Sequence, residues 1–265
     1  PFTRSSIFLP QSMYMDRMRN TGLVAQEFMY VGEFRQESWI FSGKFGVGKV
    51  HQDQKEILDV YLMPDYISGD FTNDRAWHAQ IAADYDGGRI RLAYTGYAAP
   101  IRFKGAIGNY PIEANVGVKY QVLSAEYNAL SWSLTSELFQ ATVSSDQMGY
   151  GEDTPQGGYL QASYRFENKW DGFLRYDYMV LDKNDRNGEA YQLSPAKNIS
   201  GLPAFVRYAK DSAIGVGYHP NSDWVIRAEL HNVQGTAWMT ARDLKKGQKQ
   251  TEYWDLIALA VSWRF

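Results

Sequence analysis

The residues of this sequence best placed to do chemistry are Arg89, Arg91, Lys119, Glu137, Arg165, Asp171, Arg175, Asp177, Arg227, Glu229 and His231. They do not gather into one motif; acids and bases recur at alternate positions among apolar neighbours. Such spacing suits non-covalent work, because basic and acidic groups facing one another across water set up a transverse field that attracts and ranks charged solutes. The competing reading of the same charges is a closed ion-pair network that fills the interior.

Motifs for covalent or metal chemistry fall short. Gly43 to Lys49, GKFGVGK, has the spacing of a phosphate-binding loop, but Val50 follows where Ser or Thr is needed. Trp39, Phe41, Phe45 and Val47 alternate there as a strand, not as the start of a helix. His51, His78, His219 and His231 form no HExxH or i,i+4 pair, and no GxSxG elbow or His-x-Ser pair occurs. Asp182 to Gly188 is rich in oxygen donors, yet Arg186 stands in a ligand position of the calcium-loop pattern, so the stretch reads as a solvated loop. With no cysteine, thiolate metal sites and cysteine nucleophiles are excluded. The sequence therefore predicts a protein that is not an enzyme, with no catalytic residues, metal or cofactor.

The elements that must position the charges are strands. Trp170, Leu174, Tyr176, Tyr178 and Val180 fall on one face with Gly172, while Asp171, Arg175 and Asp177 fall on the other with Phe173. Trp224, Ile226, Ala228 and Leu230 alternate in the same way with Val225, Arg227, Glu229 and His231. The pattern recurs in Trp77 to Tyr85, Ile90 to Tyr94 and Leu160 to Phe166, and in Val116, Val118, Tyr120 and Val122 set against Gly117, Lys119 and Gln121. Aromatics make up 15% of the chain, and Tyr or Trp tends to stand near the ends of the apolar faces, as in the girdles of a membrane barrel. No stretch approaches the roughly 18 consecutive apolar residues of a spanning helix. A net charge of -3 argues against nucleic acid as a partner.

Turn signals set the topology. Asp86-Gly87-Gly88, Ser124 to Asn128, Glu167 to Lys169 and Pro220 to Ser222 read as compact links. Longer polar connections are expected over 98–111, 144–156, 182–210 and 233–251. About twelve strands follow, near 23–35, 38–49, 57–63, 75–85, 88–97, 112–123, 129–143, 157–166, 170–181, 211–219, 223–232 and 253–265. Gln36 to Ser38 is short where this count places an outer loop, and residues 1–22 do not alternate cleanly, reading as a periplasmic lead-in or a plug.

The chain ends LIALAVSWRF, with Ile257, Leu259, Val261, Trp263 and Phe265 on one face. This resembles the C-terminal β-signal of Gram-negative outer-membrane β-barrel proteins, and the strand pattern of the resemblance covers about residues 24 to 265. The resemblance implies an outer-membrane location, periplasmic termini, contact with outer-membrane lipid and insertion by the barrel assembly machinery.

The expected architecture is thus an all-β, transmembrane, antiparallel up-and-down barrel over residues 23–265, with short periplasmic turns and long extracellular loops. Arg or Lys costs roughly 2 to 4 kcal/mol at the bilayer midplane, so the charged faces should line the interior. The function expected is a porin-like channel for passive diffusion of small polar or charged solutes, narrowed by an inward fold of 182–210 through turns at Pro195, Gly201 and Pro203. An export or assembly component with a gated or plugged barrel is the first alternative and a lipid-modifying or protease barrel the second; a homo-oligomer is compatible with the channel and export readings.

Overall fold

The computed structural model of the chain describes residues 6–14, 25–50, 67–73, 75–107, 109–146, 152–167, 169–193, 202–239 and 250–264. Strands dominate: β1 Ala25–Gln36, β2 Trp39–Val50, β3 Ile67–Asn73, β4 Ala76–Tyr85, β5 Ile90–Ile107, β6 Tyr110–Asn128 and β7 Trp132–Ser145. They continue as β8 Glu152–Asp153, β9 Gln156–Glu167, β10 Trp170–Val180, β11 Tyr208–Tyr218, β12 Trp224–Gly235 and β13 Tyr253–Trp263. The one α-helix among the described residues, α1 Glu189–Leu193, lies between β10 and β11.

All thirteen strands form a single antiparallel sheet whose main path is β1-β2-β4-β5-β6-β7-β9-β10-β11-β12-β13. β3 and β4 lie in succession along β5, with the register slipping by one residue between Asn73↔Ile101 and Trp77↔Ala98. β8 and β9 likewise share β7, interrupted at Thr154 and Pro155, where proline has no amide hydrogen to give the ladder. The path therefore has eleven tracks, each pairing with its sequence neighbour, which is the up-and-down order expected. β1 and β13 stand at its two ends, each paired on one side among the described residues.

The links at the two ends differ, although the long-loop end also holds the tight turn of the β5–β6 hairpin. One end of the sheet carries Glu37-Ser38, the turn at Asp86–Gly88, residues 129–131 and 219–223, all short. At the first of these, Gln36 pairs directly with Trp39, and Glu37 takes φ 52 to close a two-residue hairpin. At the second, Gly87 and Gly88 take φ 65 and 92, which a side chain would resist. The brief Gln36–Ser38 link thus belongs to the short-turn end with the others, and the strand expected at 57–63 lies outside the described residues. The expected loop over 98–111 is replaced by strand: β5 and β6 form one hairpin paired from Ile90↔Tyr127 to Ile107↔Tyr110. Its upper residues Arg102, Lys104 and Glu113 are polar on the outward face, which masked the alternation.

The two faces of the sheet differ as lipid and water demand. Outward, Leu174 is 61% exposed and Ile257, Leu259, Val261 and Trp263 more than half exposed, the kind of broad apolar surface that marks contact with a membrane or a partner. Aromatic rings pair along its short-turn edge: Trp39 with Tyr85 at 4.7 Å, Tyr127 with Trp132 at 5.1 Å, Trp170 with Tyr218 at 4.5 Å and Trp224 with Trp263 at 5.8 Å. This is an interfacial girdle. Inward, toward the long-loop end, Phe139, Met179, Ala209, Val233, Ala237 and Trp238 form a buried cluster that Met13, Tyr120 and Val122 adjoin. Phe265 lies outside the described residues.

Candidate functional site

The site is the inner wall, and backbone alternation alone puts its residues there. On β10, Asp171, Phe173, Arg175 and Asp177 turn inward while Trp170, Leu174 and Tyr176 turn out. β11 contributes Asp211 above Ala213, Gly215 and Gly217, a file of small residues. A side chain at Gly215 would strike the Phe173 ring, with a Cβ 2.1 Å from its nearest carbon, so glycine here makes room for that ring. β12 contributes Arg227, Glu229, His231 and Val233.

Five polar groups of contacts occupy this wall. Near the short-turn end, Asp171 accepts from Arg227 Nη1 at 3.2 Å and pairs with His219 Nε2. On the strands nearer the amino end, Arg91 reaches Asp84 at 2.8 Å and Glu126 at 3.3 Å. Glu137 of β7 accepts from Ser124 Oγ at 2.9 Å, Tyr159 OH at 2.9 Å and Tyr14 OH at 2.6 Å. His231 sets Nδ1 2.8 Å from Asp211 and Nε2 3.3 Å from Glu229. Glu27 and His78 add a further contact at 3.2 Å between β1 and β4.

Residues 6–14 lie across this wall and share its bonds. The backbone N–H groups of Ile7 and Phe8 both donate to Glu229, the latter at 3.3 Å. The Phe8 carbonyl accepts from Arg175 Nη1 at 3.0 Å, and the Phe8 ring meets His231 edge-on at 5.9 Å. Ser12 N–H donates to Asp177 Oδ2 at 3.2 Å. Burial together with the neighbouring Glu137 carboxylate pushes the Tyr14 phenol well above its ordinary range, so Tyr14 stays a donor.

Most of the residues singled out from the sequence therefore share this face: Arg91, Glu137, Asp171, Arg175, Asp177, Arg227, Glu229 and His231 are turned inward, and Arg165 pairs in register with Asp171 on the same side. Two are not. Arg89 lies in the short turn, 3.1 Å from Asp86, beyond the end of the wall. Lys119 points outward, because Tyr120 and Val122 on β6 take the inner positions and the Tyr120 ring stacks on Phe139 at 5.2 Å. The alternation of Val116 to Val122 was apolar against polar as elsewhere, but here the apolar side packs the interior cluster. Lys119 follows Gln121 and Leu123 up the outer face, above the apolar belt.

Sequence reasoning also missed Asp211, Tyr159, Gln161 and Ser124. Asp211 had a readable signal: it opens the alternation of a strand expected to begin there. Ser124 was assigned to a turn, whereas β6 continues through it to Asn128. Trp238 and Ala237, which enter the interior cluster from the connection after β12, carried no periodic signal.

No family model matches the sequence, and no curated protein is similar to it. Solved structures do resemble the fold. OmpT (in-vitro folded), an outer membrane protein of Vibrio cholerae, matches with TM-score 0.58 at 11% identity over 99% of this chain and 70% of that one. The outer membrane channel DcaP of Acinetobacter baumannii matches with TM-score 0.53 at 11% identity over 88% of this chain and 61% of that one. A loop-deletion form of the Vibrio cholerae OmpT aligns with TM-score 0.57, also at 11% identity, over 99% of this chain and 70% of its own. With a charged inner wall, an apolar outer belt and these neighbours, the architecture is that of a bacterial outer-membrane β-barrel protein.

Proposed function

We propose that the protein is a channel for passive diffusion of small polar or charged solutes along the inner wall. The observation that carries the reading is the sorting of side chains on one sheet: acids and bases at alternate positions face inward over β4 to β12, and the outward face is apolar and girdled. A wall of opposed Arg91, Asp84 and Glu126, then Arg227 and Asp171, provides the transverse field that ranks ions. DcaP, named as an outer membrane channel, is one of the structural relatives and supports the same reading. Catalysis fits less well: both ring nitrogens of His231 are engaged by carboxylates, and among the described residues neither His219, paired with Asp171, nor His78, paired with Glu27, is bonded to a hydroxyl it could activate.

One observation favours the gated alternative. Residues 6–14 bond to Glu137, Arg175, Asp177 and Glu229, so this segment narrows the passage and would have to shift for a bulky cargo. Single-channel recording of the refolded protein in planar bilayers under a salt gradient separates the two. The channel reading gives discrete steady openings with a measurable reversal potential. Silence from protein shown to be folded overturns it in favour of a plugged export or assembly component.

A further inference from the structure

Arg175 is an anomaly of the inner wall. It is 4% exposed, and among the described residues it has no carboxylate within ion-pair distance. Its Nη1 donates to neutral oxygens only, those of Phe8, Ser6 and Gln161, and its Nε has no partner. The carboxylates of Asp177 and Glu229 act on it only through space, without a direct bond, so a guanidinium withdrawn from water here still lacks an anion with two oxygens to offer. On the neighbouring wall Glu229 presents the opposite need. Beside its 3.3 Å contact with His231 Nε2, it accepts two peptide N–H groups, neutral donors in a place where an ammonium would bond more strongly.

One residue of the chain bridges both groups. Phe8 gives its N–H to Glu229 and its carbonyl oxygen to Arg175, so acid and base lie one amino-acid unit apart along a bound peptide. An ammonium in place of that N–H and a carboxylate in place of that carbonyl would satisfy the same two groups with charge. Asp177, with Oδ1 unpartnered and Oδ2 on Ser12 N–H, extends the acceptor surface along the segment.

We propose that the inner wall between Arg175 and Glu229 is a binding site for small zwitterionic solutes, free amino acids and short peptides, and that residues 6–8 occupy it as an internal stand-in. This refines the channel reading and rests on it for the route by which solute arrives. The carboxylate goes to Arg175 and the ammonium to Glu229, while the edge of the His231 ring, now against Phe8, contacts an apolar side chain.

Calorimetric titration of the full chain, folded in detergent micelles, with alanylalanine tests the site directly. Alanylalanine should bind about tenfold or more tightly than either its N-acetyl form, which lacks the ammonium, or its amide, which lacks the carboxylate; one charge-assisted bond is worth that factor. Arg175→Gln should abolish the preference for carboxylate over amide and keep the preference for ammonium; Glu229→Gln should do the reverse. Phe8→Ala, which loosens the stand-in, should bind alanylalanine severalfold more tightly than the unaltered chain. Equal binding of all three ligands, or no binding to either the unaltered chain or Phe8→Ala, overturns the proposal, and the ligand series decides it even where a wall variant fails to fold. Binding without conductance would keep the site and remove the channel, and conductance without charge-selective binding would do the opposite.

Discussion

Asp177 of β10 and Asp211 of β11 stand directly opposite one another in the ladder, both turned inward and sealed from solvent at 0% and 2% exposure. Each keeps one oxygen without a protein partner, and each spends the other on a different neighbour: Asp177 on Ser12 N–H, Asp211 on His231 Nδ1. Like charges in directly opposed positions destabilise a sheet by a few tenths to about 1 kcal/mol. Asp177→Asn keeps an acceptor for Ser12 and removes the repulsion, so the folded form should resist heating to a higher temperature. Asp211→Asn removes the charged partner of His231 and should lower that temperature, at a cost of about 1 to 3 kcal/mol. Band-shift electrophoresis of folded against heated protein measures both.

The two neighbouring arginines of the fifth strand region should behave differently in ion selectivity. Arg91→Ser leaves Asp84 and Glu126 on the wall without their shared base and should move the reversal potential toward cation preference. Arg89→Ser alters only a turn pair with Asp86 and should leave it in place. Equal shifts from both would mean that the turn end controls permeation.

The outer belt can be tested against the inner wall at matched depth. Leu174→Arg places a charge on the lipid face and should cost about 2 to 4 kcal/mol in folding into bilayers. Ser163→Arg faces inward from β9 and should be tolerated, with the change appearing in conductance instead. Chemical-denaturation titration of refolded protein gives both values.

Trp238 closes the interior cluster from the connection after β12, buried against Phe139, Met179 and Val233. Trp238→Ala should cost about 3 to 5 kcal/mol through the cavity it leaves. On the proposed channel reading it should also enlarge the unit conductance, because the lost ring belongs to the interior cluster toward the long-loop end.

Glu252, just before β13, ties that connection down by accepting from Tyr208 OH at 2.9 Å and Gln234 Nε2 at 2.8 Å. The Gln234 bond, followed by that of Tyr208, holds its carboxyl below the ordinary range. A carboxyl depressed in the folded state contributes stability above its ordinary pKa and loses it as pH falls through the folded value. Acidification below about pH 4.5 should therefore lower the melting temperature, and Glu252→Gln should blunt the fall; an unchanged acid slope in the variant would assign the sensitivity elsewhere.

The fold was legible because a sheet between lipid and water has a strict period of two, and Trp170 to Val180 displays it with only Phe173 and Met179 as apolar residues on the inner face. Legibility failed where that contrast fades. Ala98 to Ile107 looked like a loop because Arg102 and Lys104 leave the hydrocarbon and become polar on the outside. Lys119 was placed inside because β6 presents Tyr120 and Val122 to an apolar interior, and period alone cannot tell which of two apolar surroundings a face meets. The partners of Glu137 and Glu229 include Tyr14, Ile7 and Phe8, more than a hundred residues away in sequence, and no local pattern announces contacts of that range.

Among the described residues, β1 enters the sheet from the long-loop end and β13 leaves at the short-turn end, so the two outermost described strands run in the same direction. An antiparallel seam between them consequently has a parity: it takes an odd number of intervening strands. For sheets made of the described strands, a second copy in the same membrane orientation offers each edge a strand of the wrong sense, so such copies can share lipid-facing surface but do not join through these edges by antiparallel pairing.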